Sequence, residues 1–122
     1  MPARFSSKAC RYRVVNADPG EIERVVYNLL TNAVEAMPRG GELTVRVGSV
    51  EGEARIAVED TGSGIPEKDR PQLFRPFFTT RERGVGMGLA ICRRIAEENG
   101  GSVSVDSVPG RGSRFTVKLP EA

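Results

Sequence analysis

The order in which hydrophobic periodicity changes along this chain constrains its fold more than any other feature. A stripe at helical spacing comes first, carried by Ile22, Val26, Leu29, Leu30, Ala33 and Met37. Two alternating stretches follow, 42–49 and 53–59. A second helical stripe, with Leu89, Cys92, Ile95 and Ala96 on one face, precedes two more alternating stretches, 102–107 and 113–119. Helix, hairpin, helix and hairpin within 122 residues suit one core and one domain spanning 1–122. The pattern predicts an α+β fold, a two-layer sandwich with both helices on one sheet face.

Local punctuation agrees with the periodicity. Asp18-Pro19-Gly20-Glu21 is a helix start: Asp18 can cap, Pro19 suits the first helical position, and Glu21 completes a capping-box pattern. Pro38 and Gly40-Gly41 stop that helix near Met37, and Asn99-Gly100-Gly101 stops the second, predicted over 89–98. Glu51-Gly52 joins the first pair of strands and Pro109-Gly110-Arg111-Gly112 the second. A further short strand is expected at 11–16 (RYRVVN), with 1–10 left as a candidate flexible leader. Between the hairpin and the second helix, 61–88 is a long loop crowded with glycine, proline and charge, as expected of a functional lid.

Composition removes several functions. The chain has no histidine, which excludes His-based triads, metal sites and general bases, and excludes an acceptor histidine for phosphate. A net charge of +2 gives no argument for nucleic acid or direct membrane contact. Cys10 and Cys92 lack metal or redox spacing and read as reduced thiols. No apolar run has transmembrane length and no signal-peptide core opens the chain, so a cytoplasmic domain is expected, whatever anchors its parent protein.

Four constellations could carry chemistry. Asn28 and Asn32 are neighbours on one helix face, with Glu35 extending the stripe. Their neutral carbonyls could hold Mg²⁺ while a polyphosphate and water complete its shell, although such a pair equally fits a solvated face. DTGSGIP, 60–66, follows a strand; Asp60 could accept from an exocyclic amine, and Gly62 and Gly64 would let the backbone approach a flat ligand. Alone, that motif also fits a tight turn. LFRPFFTTR, 73–81, places Phe74, Phe77 and Phe78 in a polar loop, where they need an apolar seat on the body. GVGMGL, 84–89, opens the second helix with bare amides and the positive end of its dipole, a phosphate cradle that Arg81 and Arg83 would reinforce. The GxGxG spacing and the absence of a preceding strand set it apart from a dinucleotide-binding fingerprint.

These motifs, in this order, resemble those of the GHKL superfamily, and within it the catalytic ATP-binding domains of sensor histidine kinases. NLLTNAVEAM (28–37) is similar to the asparagine box, DTGSGIP to the first glycine box, LFRPFFTT to the phenylalanine box and GVGMGLAICRRI to the second glycine box. The closing GSVSVDSVPGRGSRFTVKLP is similar to the family's terminal hairpin, so the likeness runs from about Asp18 to Pro120. The short lid looks most like nitrogen-regulation and related kinases.

The resemblance implies a mixed, mainly antiparallel sheet with helices on one face. It implies that Asp60 binds the adenine amino group in a pocket shaped by Gly62, Gly64 and Ile65, with Ser113 in its water network. Asn32, with Asn28 beside it, would hold Mg²⁺. Arg81, Phe77, Thr79, Thr80, Gly84, Gly86, Met87, Gly88 and Leu89 would surround the nucleotide and its phosphate tail. ATP and Mg²⁺ are the implied cofactors. The implied partners are a helical domain bearing the phosphoacceptor histidine and, indirectly, a response regulator. Departures from the pattern are Val85 for the usual Thr or Ser, Met87 for Leu, Arg81 for Lys, and Glu35 where many kinases are basic. Other readings of the same fold are a nucleotide-binding docking module without catalysis, an ATP hydrolase and an anti-sigma serine kinase.

Overall fold

The computed structural model describes residues 3–8, 17–75 and 88–121. In chain order the elements are β1 (Ala3–Lys8), α1 (Pro19–Glu35), β2 (Gly41–Val50), β3 (Glu53–Asp60), a 3-10 helix (Glu67–Gln72), α2 (Gly88–Glu98), β4 (Ser102–Val108) and β5 (Gly112–Pro120). The strands form one five-stranded sheet in the order β1-β2-β3-β5-β4. β1 runs parallel to β2, and the other pairings are antiparallel.

Both helices and both hairpins lie where the sequence places them. Asp18 caps α1 through Oδ1, which accepts the Gly20 N–H at 2.9 Å, and Pro19 takes the first turn. The helix closes at Glu35, slightly before Met37, yet Met37 stays buried in the turn that follows. At the end of α2 the Gly101 N–H reaches the Ala96 carbonyl at 2.8 Å and the Gly100 N–H reaches Glu97 at 3.1 Å. That paired closure requires the left-handed φ of 78° found at Gly100.

A strand not expected from the sequence lies at 3–8, inside the stretch read as a candidate leader, while the strand expected at 11–16 falls outside the described residues. On α1 the buried stripe is Val25, Leu29 and Ala33, with Ile22 and Leu30 packed beside it. Val26 is only half-buried, because the helix presents the preceding valine to the sheet.

The core is read most easily as rows crossing the sheet. Val45, Val58, Phe115 and Val105 are successive cross-strand partners on one face, as are Val47, Ile56, Val117 and Val103. α1 and α2 cover this face and add Val25, Leu29, Ala33, Cys92, Ile95 and Ala96. The opposite face is polar: Glu59 Oε1 accepts from Arg46 Nε at 3.2 Å and Arg114 Nε at 2.7 Å. Alternation between a covered apolar face and a wet charged one gives the two-layer sandwich expected from the periodicity.

Candidate functional site

The next row on the covered face changes chemistry. Leu43 pairs with Asp60, Asp60 with Ser113, and Ser113 with Ser107. The apolar row of Val58 and Phe115 is thus followed, two residues along each strand, by a carboxylate and two hydroxyls. Asp60 (6% exposed), Ser107 (8%) and Ser113 (8%) are the buried polar side chains among the described residues. Burying such groups at the edge of a core is costly unless they are bonded, and each of these makes at least one hydrogen bond. Asp60 Oδ1 accepts the Gly62 N–H at 2.9 Å. Ser107 Oγ accepts the Ile65 N–H at 2.8 Å, donates to the Gly112 carbonyl at 3.1 Å and lies 3.0 Å from Ser113 Oγ.

The loop leaving β3 is sewn to the β4–β5 turn by these contacts. The Gly110 N–H reaches the Ser63 carbonyl at 2.6 Å, beside the Ile65 bond to Ser107. At Gly62 and Gly64 the close approach that glycine permits is made to protein. A Cβ at Gly62 would strike the Ala36 carbonyl at the end of α1, and one at Gly64 the Val108 carbonyl and Pro109. These glycines therefore let the loop lie flat on α1 and the hairpin.

A second polar cluster lies at the junction of α1 with the start of α2. Asn28 Nδ2 donates to the Gly88 carbonyl at 3.4 Å, so the asparagine stripe and the mouth of α2 meet. The Asn28 side chain also bonds the Cys92 thiol. Asn32, one turn on, is half-buried, and Leu89 packs against the core. No group of three acidic or thiol side chains among the described residues gathers to chelate a metal. An ion here would draw on asparagine carbonyls and ligand oxygens.

The described part of the segment expected to form a lid packs on the core. Leu73 is buried, and Phe74 meets Phe115 edge-on, ring centroids 6.3 Å apart at 81°. Phe74 thus takes the seat expected of a lid aromatic. Phe77, Phe78, Thr79, Thr80, Arg81, Arg83, Gly84, Gly86 and Met87 lie outside the described residues. A cleft of about 500 Å³ between Phe74 and the outer flank of α2, by Ile91 and Arg94, shares no lining residue with the polar row.

Ser107 is the member of the buried polar row that the sequence did not single out. Its signal was present: in SVSVDSV, residues 103, 105 and 107 alternate onto one face, so Ser107 continues an inward valine series.

The family described as histidine kinase-, DNA gyrase B- and HSP90-like ATPase matches residues 17–122. The chain belongs to that family. Within this GHKL family its likeness runs to histidine kinases. It is 39% identical over 107 residues to sporulation kinase C of Bacillus subtilis (strain 168), which covers 88% of this chain and 25% of that protein. It is 38% identical over 107 residues to sensor histidine kinase ZraS of Klebsiella oxytoca, 87% of this chain and 23% of the relative. Among solved structures, the mycobacterial sensor histidine kinase MprB superimposes with a TM-score of 0.87 at 31% identity, over 98% of this chain and 82% of that one. Full-length ShkA, solved in complex with AMPPNP, superimposes with a TM-score of 0.85 at 29% identity, over 99% of this chain and 26% of that one. The GHKL domain thus spans about a quarter of the length of the kinases that it matches in sequence, and its fold is that of the histidine kinase catalytic domain.

Proposed function

We propose that this GHKL domain binds Mg²⁺-ATP and donates the γ-phosphoryl group to a histidine on a separate helical domain, as part of two-component signalling in the cytoplasm. The observation that carries the proposal is the polar row that ends the core. Asp60 is a carboxylate at a strand end, beside a loop fixed to the β4–β5 hairpin by hydrogen bonds. It suits the exocyclic amine of adenine, and Ser113 beside it in register suits the water that accompanies that amine.

The asparagines fit the metal half of the reading. The Asn28 amide nitrogen is turned toward Gly88 and Cys92, which directs Oδ1 of the same group the other way. Asn28 and Asn32 would hold Mg²⁺, whose part is to neutralise phosphate charge. Gly88 and Leu89 open α2, where backbone amides and the helix dipole favour an anion. Gly84, Gly86, Met87, Phe77, Thr79, Thr80 and Arg81 are assigned to the nucleotide and its phosphates from the motifs alone. Phosphoryl transfer asks mainly for positioning and charge stabilisation, and these residues supply both without covalent chemistry.

Hydrolysis is the weaker reading. A general base would be expected one turn before Asn32, and that place holds Asn28, which cannot take a proton from water. The test is incubation of the domain with γ-labelled Mg²⁺-ATP and the histidine-bearing domain of its parent kinase. Acid-labile label on the acceptor histidine is expected. ATP bound without transfer overturns the kinase reading in favour of a docking module, and acid-stable label on a serine substrate would favour a serine kinase.

A further inference from the structure

We infer that Ser107 is a positioning residue that sets the hydrogen-bond direction of the buried row and, through Ser113, favours adenine over guanine. This rests on the nucleotide-binding reading of the same site. A serine hydroxyl has one hydrogen to give and two lone pairs with which to accept. Ser107 Oγ gives its hydrogen to the Gly112 carbonyl, which can only accept, and one lone pair takes the Ile65 N–H. The contact to Ser113 Oγ at 3.0 Å must then run from Ser113 to Ser107. Ser113 has thereby spent its only proton away from the ligand. Its remaining lone pairs lie in register with Asp60, whose carboxylate oxygens also accept.

The row consequently presents acceptors. Adenine offers an amino group at the edge in question. Guanine carries a carbonyl oxygen there and would meet acceptors with an acceptor, directly or through a water whose two protons already go to Asp60 and Ser113. Leaving buried polar atoms so opposed is the stronger form of discrimination available to a binding site. Without the Ser107 hydroxyl, Ser113 is free to turn its proton into the row, and the direction is lost.

The experiment measures ATP and GTP affinities, with Mg²⁺, for the wild-type chain and for Ser107→Ala, Ser107→Thr and Ser113→Ala. The expected result is an ATP-over-GTP preference that falls about tenfold in S107A and S113A. The double variant should fall no further, because the two hydroxyls act as one chain. S107T, which keeps the hydroxyl, should keep the preference. Equal weakening of both nucleotides at an unchanged ratio would make Ser107 merely structural and overturn the inference. Should S107A fail to fold, S113A decides, since an undiminished preference there overturns it as well. A wild-type chain that binds neither nucleotide fails the underlying reading; one that binds ATP while S107A keeps its ratio fails this inference alone.

Discussion

Cys92 has no solvent exposure and serves two neighbours: its S–H lies 3.7 Å from the Val25 carbonyl, and its sulfur accepts from the Asn28 side chain. Burial pushes the thiol up to about 11 from an ordinary 9.0, with the Asn28 bond a smaller opposing influence. Between those values the unfolded chain has lost this proton while the folded chain retains it. The folded state is therefore at full advantage below pH 9.0 and loses stability as pH climbs toward 11. The loss is on the order of 2–3 kcal/mol. Urea titrations of wild type and Cys92→Ala between pH 8 and 11 should show the wild-type advantage shrinking across that window, and a constant gap would contradict this account. Gly62 offers a second test at this scale. Gly62→Ala drives a methyl into the Ala36 carbonyl, where no flexible side chain can yield. A cost of about 1–3 kcal/mol is expected in chemical denaturation, together with weaker nucleotide binding. A variant as stable and as tight-binding as wild type would remove the proposed role of the α1 contact.

Among the elements, the β2–β3 hairpin turns through Glu51 (φ 48°) and Gly52 (φ 82°), a two-residue turn of the kind that asparagine-glycine fills best. Glu51→Asn should raise stability by up to about 1 kcal/mol in thermal or urea melts, while a loss of stability would mean the turn is held otherwise. This hairpin and both helices were legible in the sequence because their boundaries are written locally, in Asp18-Pro19, Glu51-Gly52 and Asn99-Gly100. β1 was not. A parallel edge strand has no turn joining it to its partner, and Ala3 meets Gly41 only across α1. One position of the α1 stripe was misread because adjacent valines both fit it, and only the covering sheet decides between Val25 and Val26. At the polar row, Asp60 with Gly62 and Gly64 beyond it stood out in DTGSGIP, and Ser113 through the family resemblance of the closing hairpin. Ser107 did not, since a serine in a strand shows its worth only when Ile65 and Gly112 arrive from elsewhere in the chain.

At the scale of the whole molecule, the fold works as a sheet whose covered face changes from apolar to polar over one row. This division lets a single core hold the domain together and carry the candidate site at its end. It also sets what the domain can do alone: with no histidine in the chain, labelled ATP should leave no phosphohistidine on it, and self-labelling of that kind would contradict the reading. No helix among the described residues is long and apolar enough to cross a membrane. The central claim is that Asp60 floors an adenine pocket that works with a magnesium-assisted phosphate site. The most direct test is calorimetric titration of the chain with ATP, with and without Mg²⁺, beside a folded Asp60→Asn variant. Binding strengthened by Mg²⁺ in the wild type and lost in Asp60→Asn is the predicted result. Equal binding by both proteins, or none by a folded wild type, would contradict it.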